Sequence, residues 1–228
     1  MLFCDAPSVF RFRVRVARKG PAAGLSHLGQ IAALRAAVAE SGLPFVPDGR
    51  RKQPRPRMAF GPAVALGYES EAEYFDMELT RSAEPAEIMR SLKFVGAGFE
   101  VREARRIPPY FPSLESVINV ARYELRGPFP EDAACRLRAL LERPEIVVEK
   151  VKDNGARVER IDAKPLILSA VLSASDCLDL VLRFGPGKTL KPEALLREWL
   201  GPQAPVTDIR ILRKELWSQT ADGELIAP

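Results

Sequence analysis

The stretch Phe10-Arg11-Phe12-Arg13-Val14-Arg15-Val16 alternates apolar and basic side chains without a break. A period of two is the signature of a strand with one face on a core, so Phe10, Phe12, Val14 and Val16 are expected inward and the three arginines outward. Working outward, Lys19-Gly20-Pro21 turns the chain and Ser26 is a good helix N-cap. Leu28, Ile31, Leu34 and Val38 then recur at helical spacing until Ser41-Gly42 closes the helix, and Ala32, Ala33, Ala36 and Ala37 let it lie close to a sheet. Ala63 to Leu66 and Tyr74 to Leu79 read as strands with Gly67 to Glu71 turning between them. Pro85 suits the first turn of a helix whose buried stripe is Ile88, Met89 and Leu92, and Phe99 to Ile107 reads as a last strand. The order is strand, helix, strand, strand, helix, strand.

The rest of the chain runs through much the same order. Pro108-Pro109-Tyr110-Phe111-Pro112 reads as a stiff connection. After it come a strand (120–125), a helix (131–142), a strand (146–152), the hairpin turn Asn154-Gly155, strands at 157–161, 166–172 and 178–184, a helix from Pro192 to Gly201 and a strand at 206–212. The expected fold is therefore α+β, with two ferredoxin-like (βαββαβ) units in tandem, the second elaborated by an extra hairpin. The expected boundaries are 1–107 and 118–228, with a proline-rich linker at 108–117.

Composition narrows the function classes. With 46% hydrophobic and 28% charged residues the chain has the balance of a globular protein. No apolar run approaches the roughly 20 residues that span a bilayer, and the N-terminus lacks a signal-peptide pattern, so no membrane partner and a cytoplasmic location are expected. Cys4, Cys135 and Cys177 are far apart and the chain holds one histidine, which argues against a disulfide framework or a zinc site. No metal and no cofactor is expected.

Net charge is only +4, yet Arg50, Arg51, Lys52, Arg55 and Arg57 fall within eight residues of a proline-rich segment between Pro44 and Pro62. Such a loop is a candidate phosphate grip, because guanidinium groups bind phosphate bidentately; an acidic protein face or plain solvent are the alternatives. Arg11, Arg13 and Arg15 would stand on the open sheet face, but the third strand should bring Asp76 and Glu78 across from them, so paired charges are the favoured reading. Ser26 and His27 open the first helix, where the macrodipole favours a neutral imidazole; binding and capping roles are both open, with general acid–base catalysis by His27 a weaker candidate. Gly185-Pro186-Gly187-Lys188-Thr189 fails the P-loop template, because Leu182 stands where its leading glycine belongs. Trp199 and Trp217 read as core or interdomain anchors.

Three blocks carry a family resemblance. Gly24-Leu25-Ser26-His27-Leu28-Gly29 with Leu34-Arg35-Ala36-Ala37 and Gly42-Leu43-Pro44 is the first. Pro54-Arg55-Pro56-Arg57-Met58-Ala59-Phe60, Gly67 and Glu73-Tyr74-Phe75-Asp76-Met77-Glu78-Leu79 form the second. Ile161-Asp162-Ala163-Lys164-Pro165-Leu166 and Leu190-Lys191-Pro192-Glu193-Ala194-Leu195-Leu196 form the third. Together they resemble the bacterial radical SAM-linked proteins, a domain of unknown function. That resemblance implies a radical SAM partner and no established activity. The chain departs from the family pattern at Gly29, where an aspartate is usual, and at Arg55, where a histidine is frequent. It has no CxxxCxxC spacing and so cannot hold a radical SAM cluster itself.

Paired ferredoxin-like units also resemble the architecture of CRISPR RNA-processing endonucleases, a likeness of fold alone. The leading expectation is a non-catalytic accessory that binds RNA, tRNA or rRNA, through Ser26, His27, Arg50, Arg51, Lys52, Arg55 and Arg57, and presents it to a radical SAM partner. A protein-interaction module without RNA contact is the alternative, and a metal-independent ribonuclease using His27 the weaker one.

Overall fold

The computed structural model describes residues 9–49, 54–92, 98–152, 157–185, 189–201, 203 and 206–228. It is a mixed α+β protein that divides into two compact units, residues 1–118 with Pro228 and residues 119–227. Its sheets are antiparallel throughout the described pairings.

In the first unit, β1 (Phe10–Arg18) lies between β3 (Glu69–Leu79) and β4 (Phe99–Ile107), and the short β2 (Met58–Phe60) pairs with the middle of β3. Helices α1 (His27–Glu40) and α2 (Pro85–Ser91) connect β1 to β2 and β3 to β4. Phe12, Val14 and Val16 point into a core with Phe75, Met77 and Leu79 of β3, Leu34 and Val38 of α1 and Ile88 of α2, as the alternation requires.

Several details differ from the sequence expectation; Met89, expected on the buried stripe of α2, is exposed. The second strand forms at Met58–Phe60, inside the proline-rich segment, and not at 63–66. Met58–Phe60 fits between Pro56 and Pro62, and Phe75–Met77 of β3 supply its ladder partners. β3 also begins at Glu69, so the turn before it is tighter than expected. In α1 the buried positions are Gln30, Leu34 and Val38, a strict i, i+4 line, while Leu28 is 77% exposed. A glutamine takes the inward place because buried polar partners await it.

The outward face of β1 is covered too. Arg11 donates to the carbonyls of Pro109 and Phe111 (3.4 and 2.6 Å), and Arg13 to that of Pro112 (3.2 Å). Residues 114–117 form a short helix, α3 (Leu114–Val117), with Leu114 fully buried. Proline removes a backbone donor and leaves the carbonyls free to accept, so the segment read as a linker is stitched onto the first unit by arginines.

The second unit carries β10 (Arg210–Gln219), β5 (Val120–Arg126), β9 (Cys177–Arg183) and β8 (Ile167–Ala174), in that order across its sheet. Helices α4 (Ala133–Glu142) and α5 (Pro192–Leu200) bury Leu137, Leu140, Leu195, Leu196 and Trp199. A separate hairpin, β6 (Val147–Lys152) with β7 (Arg157–Asp162), is inserted after α4, and β11 (Leu225–Ile226) pairs with β10. The last long strand starts at Arg210 rather than 206, because Val206–Asp208 winds into a 3₁₀ turn.

Candidate functional site

The loop that presents Ser26 and His27 is built from below. Arg18, at the end of β1, is completely buried and donates to the carbonyls of Ala22 (2.9 Å), Ala23 (2.7 Å) and Leu25 (2.8 Å) and to Gln30 Oε1 (2.8 Å). Gln30 Nε2 passes the chain on to Glu73 Oε2 at 2.9 Å, on β3. One guanidinium thus fixes the whole β1–α1 turn, with a planar fork whose charge is spread over several acceptors. From the other side, Gly98 (φ +74°) approaches so closely that a Cβ there would sit 2.3 Å from the Lys19 carbonyl oxygen.

On this platform Ser26 caps α1, its Oγ accepting from the Gly29 N–H at 3.1 Å. His27 is the first helical residue, and its Nδ1 is buried with no hydrogen-bond partner among the described residues. Leu28 (77% exposed) and Leu66 (68%) flank the same end, since the Gly67 N–H donates to the Ala23 carbonyl (2.9 Å). Sequence reading missed Arg18, Gln30 and Glu73. A signal was there: Arg18 falls on the even-numbered parity of β1 that otherwise carries only apolar residues.

The described base of the basic segment is held beside β3. Phe45 bridges Leu79, the Val46 N–H donates to the Glu78 carbonyl (2.8 Å), Arg57 N–H to Val46 (2.8 Å) and Asp48 N–H to Arg55 (2.7 Å). Arg50, Arg51 and Lys52 lie outside the described residues. Arg55 is exposed, and its guanidinium has no partner among the described residues. Arg57 is ion-paired with Glu78 at 3.0 Å.

Among the described residues, Ser26 and His27 do not share a site with Arg57. Arg18 pairs with Ser70 and Arg11 with Glu78, so the sheet runs about 25 Å between the end that carries Ser26 and His27 and the end that carries Arg57 and Glu78. Helix α1 spans the same gap.

The sheet arginines are not an open surface. Arg13 is 1% exposed, bound to Asp76 through Nε (2.7 Å) and Nη2 (2.9 Å) and stacked 5.2 Å from the Phe111 ring; Arg11 joins Asp76 at 2.6 Å. The expected pairing with Asp76 is present, whereas Glu78 turns to Arg57. Arg15 donates to the Glu71 carbonyl (2.9 Å) and lies 5.9 Å from the Tyr74 ring.

Elsewhere the motifs are structural. Asp162 Oδ1 accepts from the N–H groups of Ile146 (3.0 Å) and Lys164 (2.9 Å), and Lys164 Nζ donates to the Leu141 carbonyl, pinning the hairpin to α4. Trp199 is buried, its Nε1–H donating to Ala133 (2.9 Å), and Trp217 is half-buried. Residues 186–188 of the glycine-rich turn, Asn154-Gly155 and Cys4 lie outside the described residues. Among the described residues no three of His, Cys, Asp and Glu gather so as to hold a metal ion, and no helix is long and apolar enough to cross a membrane.

Residues 11–192 match the model of a family described as uncharacterized proteins conserved in bacteria (DUF2344), and the chain belongs to that family. No curated protein matches it.

Proposed function

We propose that this family member is an RNA-binding accessory made of two ferredoxin-like units, which presents tRNA or rRNA to a radical SAM partner in the cytoplasm. The strand orders β4-β1-β3-β2 and β10-β5-β9-β8, each with two crossover helices, support the ferredoxin-like reading. The radical SAM partner rests on the sequence resemblance. The observation that carries RNA binding is the α1–β2 excursion. Its base is held beside β3 by backbone hydrogen bonds, and its sequence concentrates five cations, of which Arg55 is exposed with no partner among the described residues. The Arg57–Glu78 pair is half-exposed and worth at most about 1 kcal/mol, so a phosphate can displace the carboxylate.

Salt-titrated binding of single-stranded RNA tests this. Reversing Arg51, Arg55 and Arg57 to glutamate is expected to weaken binding at least tenfold and to flatten the salt dependence by about two units of slope. Unchanged affinity and slope would refute it.

A second reading is favoured by Leu28 and Leu66, two leucines exposed at the Ser26–His27 end. There the chain docks a protein partner without RNA. A Leu28→Glu variant that loses a partner which otherwise survives nuclease and high salt supports this reading; an unchanged complex removes it.

A further inference from the structure

Two adjoining cavities lie in the second unit between the β6–β7 hairpin and α5. One, of about 650 Å³, is lined by Arg143, Arg160 and Arg197 with Glu149 and Glu198. The other, of about 400 Å³, shares Glu149, Ala194 and Arg197 with it and adds Lys191 and Glu193. The shared wall makes them one groove, of a size that takes a small ligand.

Its charge is poorly settled. Arg143 closes α4, Arg160 stands on β7 and Arg197 on α5, so three separate elements bring guanidinium groups to one cavity. Arg143, Arg197 and Lys191 have no side-chain partner among the described residues. Arg160 meets Glu149 at 3.2 Å, but the two side chains are 75% and 56% exposed, which makes the pair weak and replaceable. At the other end, Glu193 Oε2 is buried without a donor among the described residues. A buried carboxylate oxygen without a donor is costly, and one facing a cavity calls for a donor from whatever fills it.

We propose that this groove binds a ribose phosphate, the phosphate on Arg143, Arg160 and Arg197 and a ribose hydroxyl or base N–H donating to Glu193. Guanidinium forks suit phosphate oxygens, and a carboxylate suits the hydroxyl-rich end. Free nucleotides and the phosphorylated end of an RNA carry the same group. The site is distinct from the α1–β2 excursion, and its occupancy does not depend on that loop.

Titration calorimetry of the full chain with adenosine monophosphate, and with a short RNA bearing or lacking a 5′-phosphate, tests the proposal. Arg143→Ala/Arg197→Ala removes two exposed side chains, so the variant should fold, and a circular dichroism melt checks that it does. Expected is saturable binding weakened at least tenfold by the double substitution and several-fold by Glu193→Gln. Binding of the nucleotide identifies the free molecule as the source; binding only of phosphorylated RNA identifies the RNA end. No binding of any of the three, or binding indifferent to both variants, overturns the proposal. RNA that binds with or without its phosphate, and loses affinity only when Arg55 and Arg57 are reversed, speaks for the loop and against this groove.

Discussion

Replacing Asp76 with alanine tests whether the outer face of β1 is a sealed ionic layer or an available surface. Asp76 has 3% side-chain exposure and accepts three charge-assisted hydrogen bonds, from Arg11 Nη2 at 2.6 Å and from Arg13 Nε and Nη2 at 2.7 and 2.9 Å. In Asp76→Ala, Arg13, 1% exposed, keeps only the Pro112 carbonyl and the Phe111 ring. Breaking a buried pair from one side costs about 3–5 kcal/mol, because the surviving charge remains desolvated. That is a large share of the stability of a unit this size. Amide hydrogen exchange, read by mass spectrometry on peptides from β1 and β3, localises the effect in a way that neither tryptophan can, since Trp199 and Trp217 both lie in the second unit. Protection in those strands should fall by about two to four orders of magnitude. Arg57→Ala, which breaks an ion pair with side-chain exposures of 52% and 26%, is the internal control and should cost under about 1 kcal/mol. If Asp76→Ala changes protection no more than Arg57→Ala does, the face is not sealed and stays available as an RNA surface.

Other outcomes follow from the same structure. Gly98→Ala forces a Cβ to 2.3 Å from the Lys19 carbonyl at a positive φ, and should destabilise the first unit by about 3 kcal/mol in urea unfolding; a loss under 1 kcal/mol would mean the turn can shift. Gln30→Leu withdraws an acceptor from Arg18 and a donor from Glu73 in a buried network, and should cost about 2–4 kcal/mol despite adding an apolar side chain, whereas a neutral or stabilising result would show the network to be dispensable. The hydrogen bond from Arg81 at 2.6 Å holds the Glu87 carboxyl below its ordinary value, against a smaller opposing effect of desolvation. Because the folded value is the lower one, this contribution is present above the unfolded carboxylate value and is lost as pH falls through the folded one. In Arg81→Ala the Glu87 titration, followed by NMR, should move up; an unmoved midpoint refutes the pairing.

Much of the fold was legible because its signals are local. The unbroken alternation of β1, the Ser26 cap, the Pro85 and Pro192 helix starts and the pairing of Asp76 with the β1 arginines depend on neighbours within a turn or on one cross-strand register. The second strand was misplaced because Met58–Phe60 has no pattern of its own and is a strand only by virtue of the β3 edge beside it. The basic cluster was visible as composition, but the separation of Arg57 from His27 was not, since that depends on which end of the sheet each segment leaves.

By itself the chain of residues determined the order and kind of its elements, the inward face of β1 and the concentration of charge in one loop, all of which follow from periodicity and side-chain chemistry. Only the tertiary structure decided that Arg18 is an internal strut, that Pro109, Phe111 and Pro112 cap the arginine face, and that Arg143, Arg160 and Arg197 share a cavity. The reason is desolvation: whether a cation is a ligand-binding group or a structural one depends on what removes its water, and the groups that do so here come from 4 to 100 positions away in sequence.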